Sequence, residues 1–495
     1  MSGAASLSLF LPSEEDTARL GAWLAHALHP GDVLLLKGSV GAGKTHLARS
    51  LIREALGRME DVPSPTFTLV QTYQADGHEI WHADLYRLTH PDDVLELGLD
   101  AAFDTAVCLI EWPDRLGSLT PPHALHLHLS TEADGRRADF SSAHHHTMLA
   151  TLARDWATAE RRARSDAFVT AAGWGTATRR FLAGDASDRS YDRLTQGPDT
   201  VVLMDAPPGQ GDDPADFIAI AAHLSGLGLS APRVIAQDLT HGFLLLEDLG
   251  DDLFARLIPR HPASEPTLYA AATDILAHLQ AHPAPDDLPD LSAADWALAA
   301  DLAFDWYSFA ATGERRDTAP FIAALADLLA IHANGKRVMI LRDYHAENLL
   351  WLPERRGIAR VGLLDFQLAQ MGQPGYDLVS LLQDARRDVP QALETAMIHR
   401  FMEATGTTKA AFAPAYAMLG AQRALRIIGI FARLCLHGGK PQYLPLIPRA
   451  WRQLQRNLAH PALAPLAKIC DRHLPEPTPD LLQRISAKCG THPTR

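Results

Sequence analysis

The sequence has few cysteines, no long apolar run and no leader-like N-terminus. Its four cysteines include no Cys-x-x-Cys pair, which argues against a disulfide framework or a zinc site and is typical of a reducing compartment. No apolar run approaches the roughly 20 residues that span a bilayer. The chain does not begin with the basic stretch and apolar stretch of a secretory signal. We therefore expect a cytoplasmic protein with no membrane partner.

The sequence also lacks an excess of positive charge. It has 45 Lys and Arg residues against 59 Asp and Glu residues, for a net charge of −14. Because nucleic-acid binding depends on basic surface, we expect no DNA partner, and RNA contact only through a local patch or a partner protein. The chain has 495 residues, of which 47% are hydrophobic and 21% charged. This length and composition predict a globular protein of two or three domains.

A phosphate-binding motif lies near the N-terminus. Residues 38–45 read Gly-Ser-Val-Gly-Ala-Gly-Lys-Thr, between the buried-strand pattern of Asp32–Lys37 and the helical pattern of Thr45–Leu56. In this context a P-loop wraps nucleotide phosphates with its backbone N–H groups at a helix N-terminus. The predicted ATP-binding positions are Gly38, Gly41, Gly43, Lys44 and Thr45. We expect Lys44 to reach the β- and γ-phosphate oxygens and the Thr45 hydroxyl to bind Mg²⁺.

Two carboxylates follow strand-like runs in the same region. Asp84 follows Glu79–Ala83, and Glu111 follows Ala106–Ile110. An acid at the carboxyl end of a parallel strand faces the ligand crevice, so either residue could hold Mg²⁺ or orient the attacking water. The alternative is that each caps a loop or pairs with a neighbouring arginine. Thr66, in Ser-Pro-Thr-Phe, is either a switch that senses the γ-phosphate or part of a plain proline turn.

These motifs occur in the order Gly-Ala-Gly-Lys-Thr, Ser-Pro-Thr-Phe, His-Ala-Asp-Leu-Tyr-Arg and Ile-Glu-Trp-Pro-Asp. They resemble the TsaE family, the ATPase of threonylcarbamoyladenosine biosynthesis, over roughly residues 5–150. The resemblance implies an ATPase that works on threonylcarbamoyl-transfer subunits of the TsaD and TsaB families. That complex places the modification at position 37 of tRNA, so tRNA contact is expected only through it.

The same resemblance implies roles for individual residues. Lys44 and Thr45 would bind phosphate and Mg²⁺, and Thr66 would belong to the switch. Asp84 and Glu111 would be metal-linked or catalytic. It also implies that Trp112 lies close to the nucleotide, with simple packing as the alternative.

A second and unrelated signature lies in the other half of the chain. Residues 341–348 read Leu-Arg-Asp-Tyr-His-Ala-Glu-Asn, and residues 363–366 read Leu-Leu-Asp-Phe. Kinase-type transfer needs a group that accepts the substrate hydroxyl proton and, five residues on, an amide that binds Mg²⁺. Asp343 and Asn348 have this spacing, and Asp365 would bind the Mg²⁺ ions that bridge the phosphates. His345 is predicted either to shape the loop or to contact substrate.

Two usual kinase features are missing from this half. Residues 186–191, which would cover the phosphates, have no Gly-x-Gly-x-x-Gly pattern, and Met204 stands near the position of the expected strand lysine. Arg189 is either a replacement for that positive charge or a surface residue. Residues 247–250 read Glu-Asp-Leu-Gly and fit an interlobe hinge, so Glu247 and Leu249 are predicted at the adenine.

The second half resembles the aminoglycoside-phosphotransferase-like kinases and, more narrowly, the AmgK family. The resemblance rests on Phe-Leu-Ala-Gly-Asp-Ala-Ser-Asp-Arg-Ser-Tyr, Val-Leu-Met-Asp-Ala-Pro-Pro, Leu-Leu-Leu-Glu-Asp-Leu-Gly and the catalytic-loop residues. It spans roughly residues 165–490. It implies ATP-dependent phosphorylation of the 1-hydroxyl of N-acetylmuramate or N-acetylglucosamine in cell-wall recycling. An aminoglycoside- or choline-type kinase is the alternative, with a nucleotide-gated adaptor of little turnover as the alternative for the first half.

The expected architecture is a fusion of two α/β enzymes. We expect a P-loop NTPase domain at 1–155, a helix or linker at 156–165 and a two-lobed protein-kinase-like domain at 166–495. The small lobe is expected at about 166–250 and the helical lobe at about 251–495. P-loop enzymes and kinases use different phosphate-binding devices, so one fold is not expected to contain both signatures.

Overall fold

The structure is a computed structural model that describes residues 5–58, 60–88, 93–184 and 189–492. The chain divides into two compact units, Met1–Arg164 and Ser165–Arg495. In the described ranges no helix is both long enough and apolar enough to cross a bilayer.

The first unit contains a seven-stranded sheet. Its strands are β1 (Ala5–Leu11), β2 (Val33–Lys37), β3 (Val70–Ala75), β4 (His78–Asp84), β5 (Val107–Glu111), β6 (Leu125–Glu132) and β7 (Gly135–Ser142). Its helices are α1 (Glu14–Ala27), α2 (Lys44–Leu56), α3 (Asp93–Glu96) and α4 (Leu99–Ala102). A further helix, α5 (His146–Ala171), contains the boundary between the units and the segment 156–165 that the sequence predicts as a helix or linker.

The strand order is β1-β7-β6-β2-β5-β4-β3, and strands β6, β2, β5 and β4 run parallel. Strand β2 is buried on both faces, as is usual for the centre of a parallel sheet. Leu34 and Leu36 pack into one hydrophobic core, while Val33 and Leu35 pack into the core on the opposite face. Because β2 and β5 are neighbours, the P-loop that follows β2 opens beside the end of β5, where Glu111 lies.

The second unit begins with a five-stranded antiparallel sheet of order β11-β12-β10-β9-β8. Its strands are β8 (Thr178–Ala183), β9 (Ser190–Gln196), β10 (Asp199–Asp205), β11 (Val234–Asp238) and β12 (Phe243–Glu247), with helix α6 (Pro214–Gly226) between β10 and β11. Side chains alternate along β10: Leu203 packs into one core, and Met204 packs into the large core that the sheet shares with the helical lobe. This small lobe ends at the Glu-Asp-Leu-Gly segment.

The rest of the second unit is mainly helical. Its helices are α7 (Phe254–Arg260), α8 (Glu265–Gln280), α9 (Ala293–Ala300), α10 (Phe309–Thr312), α11 (Ala319–His332), α12 (Tyr376–Leu382), α13 (Gln391–Thr405), α14 (Lys409–Leu436), α15 (Ile447–Leu458), α16 (Ala464–His473) and α17 (Pro479–Ser486). A π-helical turn, Ala303–Ser308, precedes α10. The unit also has two short antiparallel pairs, β13 (Val338–Ile340) with β16 (Gln370–Gly372) and β14 (Leu349–Trp351) with β15 (Val361–Leu363). The predicted catalytic loop, residues 341–348, connects β13 to β14.

The fold class predicted from the sequence is confirmed. In the first sheet, β7 lies between β1 and β6 and pairs antiparallel with both of them. In the second unit, β8 ends at Ala183 and β9 begins at Ser190.

Candidate functional site

The P-loop of the first unit has the backbone that its glycines allow. Gly38 has φ +142°, and a Cβ there would overlap the carbonyl oxygen of Leu129. Gly43, with φ +102°, is the N-cap of α2, and a Cβ there would lie 2.9 Å from Nε of Arg136. L-amino acids with side chains rarely adopt these φ values. Glycine is therefore required at both positions, and Gly41 also has a positive φ, of 83°.

Lys44 lies inside this loop. Its Nζ donates hydrogen bonds of 2.9 Å to the carbonyl oxygens of both Gly38 and Ser39, and the residue is 5% exposed. Nζ also lies 4.2 Å above the ring of Trp112, a cation–π contact. Burial lowers the pKa of Lys44, and the nearby carboxylates of Glu111 and Asp84 oppose that shift. The ammonium thus stays close to both acids of the site.

Glu111 connects β5 to the P-loop helix. Its Oε2 accepts a 3.0 Å hydrogen bond from the hydroxyl of Thr45, and its Oε1 lies 3.0 Å from Nε2 of His82. Both His82 and Glu111 are buried. His82 was not among the predicted site residues, although it lies two positions before Asp84 and so on the same face of β4.

Asp84 lies beside Glu111, since the two are paired in the parallel register of β4 and β5. Its Oδ2 accepts a 2.6 Å hydrogen bond from the hydroxyl of Thr66, and its Oδ1 accepts one of 3.1 Å from the backbone N–H of Tyr86. Asp84 therefore caps a loop and also binds the predicted switch threonine. The guanidinium of Arg87 lies 4.3 Å above the ring of Phe67.

The six predicted polar and aromatic residues of this half therefore form one cluster at the end of the parallel strands. They are Lys44, Thr45, Thr66, Asp84, Glu111 and Trp112. The described residues contain no group of three or more His, Cys, Asp or Glu side chains that would hold a metal by themselves. Mg²⁺ typically binds one or two carboxylates together with substrate phosphates, and the two acids and one hydroxyl here match that donor set.

In the second unit, the side chain of Asn348 is fixed within the predicted catalytic loop. Its Nδ2 donates a 2.9 Å hydrogen bond to the carbonyl oxygen of Asp343, so its Oδ1 is the atom left for a cation. The backbone of Arg342 has φ +70° and that of Asp365 has φ +56°. Such left-handed backbone is uncommon for residues with side chains and clusters at functional sites.

A buried carboxylate supports the backbone of this loop. Asp377, at the start of α12, accepts hydrogen bonds of 2.6 and 2.9 Å from the backbone N–H groups of Leu341 and Arg342. The residue is fully buried, and burial raises the pKa of its carboxyl to about 7. Its role was not predicted, because it depends on a contact between residues far apart in sequence.

Arg189 reaches the predicted metal-binding carboxylate. Its Nη2 lies 3.4 Å from Oδ1 of Asp365 and 3.3 Å from Oδ2 of Asp212, and the residue is 7% exposed. Gln367 donates a 2.9 Å hydrogen bond to the same oxygen of Asp365. Met204 is fully buried in the core. The guanidinium of Arg189 therefore lies at the site, although the rest of the predicted phosphate loop, 186–188, lies outside the described residues.

The Glu-Asp-Leu-Gly segment is fixed by arginines. Arg193 binds Asp248 at 2.6 Å and Asp251 at 2.8 Å. The side chain of Glu247 forms an ion pair of 2.7 Å with Arg355. Because these ion pairs occupy the side chains of the segment, its backbone groups are the ones left to contact a ligand at a hinge.

His345 is held within the catalytic loop by Arg386. Its Nε2 lies 3.2 Å from Nη1 of Arg386. Arginine is only a donor, so Nε2 accepts and the ring proton is on Nδ1. Burial lowers the pKa of His345 to about 4, so the ring is neutral at pH 7.

Two family models match the chain, one on each unit. Residues 11–138 match "Threonylcarbamoyl adenosine biosynthesis protein TsaE", and residues 178–416 match the phosphotransferase enzyme family. An N-acetylmuramate/N-acetylglucosamine kinase of Caulobacter vibrioides is 41% identical over 362 residues, covering 64% of this chain and 98% of the relative. The protein of the same name from Pseudomonas aeruginosa is 34% identical and covers 60% and 90%.

A third relative aligns with the first unit. The tRNA threonylcarbamoyladenosine biosynthesis protein TsaE of Rickettsia felis is 39% identical over 129 residues, covering 26% of this chain and 75% of the relative.

Proposed function

Because this chain belongs to the TsaE family in its first unit and to the N-acetylmuramate/N-acetylglucosamine kinases in its second, we propose that it carries out both activities in one polypeptide. The chain is a fusion of an ATPase and an ATP-dependent sugar kinase. The partners, the substrates and the site residues of each unit are proposed below. Both reactions consume ATP, and we place them in the cytoplasm.

For the first unit we propose ATP hydrolysis in support of threonylcarbamoyladenosine synthesis on tRNA. The observation that carries this proposal is a set of side-chain hydrogen bonds at the P-loop. Glu111 is hydrogen-bonded to both Thr45 and His82, and Asp84, on the neighbouring strand, is hydrogen-bonded to Thr66. Mg²⁺ would be held by Thr45 and by one or both acids, and would supply positive charge at the phosphates. Thr66 is placed to transmit the state of the nucleotide to its loop through Asp84.

The partners proposed for this unit are the threonylcarbamoyl-transfer subunits of the TsaD and TsaB families. ATP hydrolysis by the full chain should rise when both subunits are added, and Lys44→Ala should abolish the rise. Arg154→Ala, which removes an exposed arginine of the same unit that pairs with Asp155, is the matched control for loss of charge. Hydrolysis that does not respond to the two subunits would contradict the proposed partnership.

For the second unit we propose transfer of the γ-phosphate of ATP to the anomeric hydroxyl of N-acetylmuramate or N-acetylglucosamine. Asp343 would accept the proton of that hydroxyl, and Asn348 and Asp365 would hold Mg²⁺ with their oxygens. The support is the geometry of the loop, in which Asn348 is fixed to the backbone of Asp343. Arg189 would provide the positive charge that other kinases place on a strand lysine.

The test is the structure of the product. Incubation of the full chain with ATP and each sugar should give a sugar 1-phosphate, identified by phosphorus–proton coupling to the anomeric hydrogen. Phosphate found on another hydroxyl, or transfer only to an aminoglycoside or choline, would contradict the proposed reaction.

A further inference from the structure

One arginine of the helical lobe contacts the catalytic loop directly. Nη1 of Arg386 lies 3.2 Å from Nε2 of His345, two residues from Asp343. Arg386 is exposed. Among the described residues, no carboxylate oxygen lies within 4 Å of its guanidinium nitrogens. Its charge is therefore available at the edge of the site where a hydroxyl must approach Asp343.

A second arginine lies on the same side of the loop, and it is buried. Arg423, on α14, is 6% exposed, and its one described hydrogen bond is from Nη1 to the carbonyl oxygen of Gln383, at 3.4 Å. Gln383 lies three residues before Arg386, so this hydrogen bond places Arg423 beside the segment that carries Arg386.

Two other arginines of the lobe each have a carboxylate partner. Arg387 pairs with Glu265 at 2.6 Å, and Arg449 pairs with Asp388 at 2.9 Å. A buried guanidinium normally has such a partner, because removing a charge from water is costly without one. In the described chain, Arg423 has no carboxylate oxygen within 4 Å.

The acids nearest to the two arginines have other contacts. Asp377 accepts the backbone N–H groups of the catalytic loop. Asp384 accepts the backbone N–H of Arg386 with Oδ1, and its buried Oδ2 has no hydrogen-bond partner within the described ranges. The local negative charge therefore does not form an ion pair with either guanidinium.

We propose that Arg386 and Arg423, the arginine pair, bind the lactyl carboxylate of N-acetylmuramate. The inference rests on the proposed kinase function. N-Acetylglucosamine lacks the 3-O-lactyl group, so the arginine pair would act on one sugar and not on the other. Guanidinium groups are well suited to this role, because their planar donors match the two oxygens of a carboxylate.

The test compares three substrates in the full-length protein. We would measure kcat/KM for N-acetylmuramate, its lactyl carboxamide and N-acetylglucosamine in the wild type, Arg386→Ala and Arg386→Gln. Arg452→Ala removes another exposed arginine of the same lobe, one that pairs with Asp388, and it is the matched control. Arg423→Lys, which keeps a charge at the buried position, is the second variant.

Arg386→Ala should lower kcat/KM for N-acetylmuramate by about tenfold or more relative to the two uncharged sugars, mainly through KM, as expected for loss of a charge-assisted hydrogen bond. Arg386→Gln should behave in the same way, since it keeps a donor to His345 but loses the charge. Arg423→Lys should also lower kcat/KM for N-acetylmuramate relative to the two uncharged sugars.

An equal fall for all three sugars would overturn the inference and give Arg386 a positioning role through His345. Wild-type kcat/KM values for N-acetylmuramate and its carboxamide that differ by less than twofold would also overturn it. Failure of the wild type to phosphorylate any of the three would instead overturn the proposed kinase function, and the inference with it.

Discussion

Replacement of Arg189 by alanine should slow sugar phosphorylation without unfolding the second unit. The guanidinium lies 3.4 Å from Asp365 and 3.3 Å from Asp212, in a nearly buried position. A hydrogen bond to a charged group contributes about 1.5–3 kcal/mol. If that contribution is made in the transition state, its loss corresponds to a roughly 10- to 100-fold fall in kcat, at about 1.4 kcal/mol per factor of ten. Arg189→Lys should recover part of the rate.

The assay is steady-state phosphorylation of N-acetylglucosamine at saturating ATP, together with thermal unfolding of each variant. Arg180→Ala removes an exposed arginine of the same lobe and should leave kcat within about twofold of the wild type. A kcat of folded Arg189→Ala within about twofold of the wild type would refute the reasoning. Adding Met204→Lys to Arg189→Ala should not restore the rate, since Met204 is fully buried and a lysine there would carry its charge into the core.

Two further predictions concern Thr66 and His345. Thr66→Ala should reduce ATP hydrolysis by the complex with the transfer subunits about tenfold, because the 2.6 Å hydrogen bond to Asp84 is lost. Thr66→Ser keeps the hydroxyl and should retain most of the rate. Equal rates for the two variants would exclude a role for this hydrogen bond in hydrolysis. His345 has a pKa near 4 in the folded protein against an ordinary value of 6.5, so only the unfolded chain takes up its proton between those values. The free energy of unfolding of the second unit should therefore fall as pH drops from 6.5 to 4, by up to roughly 3 kcal/mol. His345→Gln should flatten that dependence in pH-resolved denaturant unfolding, and an unchanged slope would contradict it.

The sequence was sufficient to predict the two folds, and the residues predicted for the first site lie together in the structure, because they form short motifs on strong secondary-structure signals. Lys44 follows a continuous apolar strand, and Glu111 ends another, so parallel pairing brings them together. Asn348 is close to Asp343 in the chain and reaches its carbonyl oxygen directly.

The residues missed by sequence reasoning act across long separations. The carboxylate of Asp377 accepts a hydrogen bond from the backbone N–H of Leu341, 36 residues earlier in the chain. Asp212 forms an ion pair with Arg189 from a segment that contains no recognisable motif. The sequence indicates only that His82 belongs to a strand. Its contact with Glu111 becomes visible only in the pairing of β4 with β5. Strand β7 carries alternating polar residues, so its place between β1 and β6 was not visible in the pattern.

The two units are proposed to contain independent phosphate-handling sites. The most direct test is transfer from γ-labelled ATP to N-acetylmuramate and N-acetylglucosamine by the wild type, Asp343→Asn and Lys44→Ala. We expect a sugar 1-phosphate that disappears with Asp343→Asn and forms at the wild-type rate with Lys44→Ala. Loss of transfer in both folded variants, or no transfer by the wild type to either sugar, would contradict the proposal.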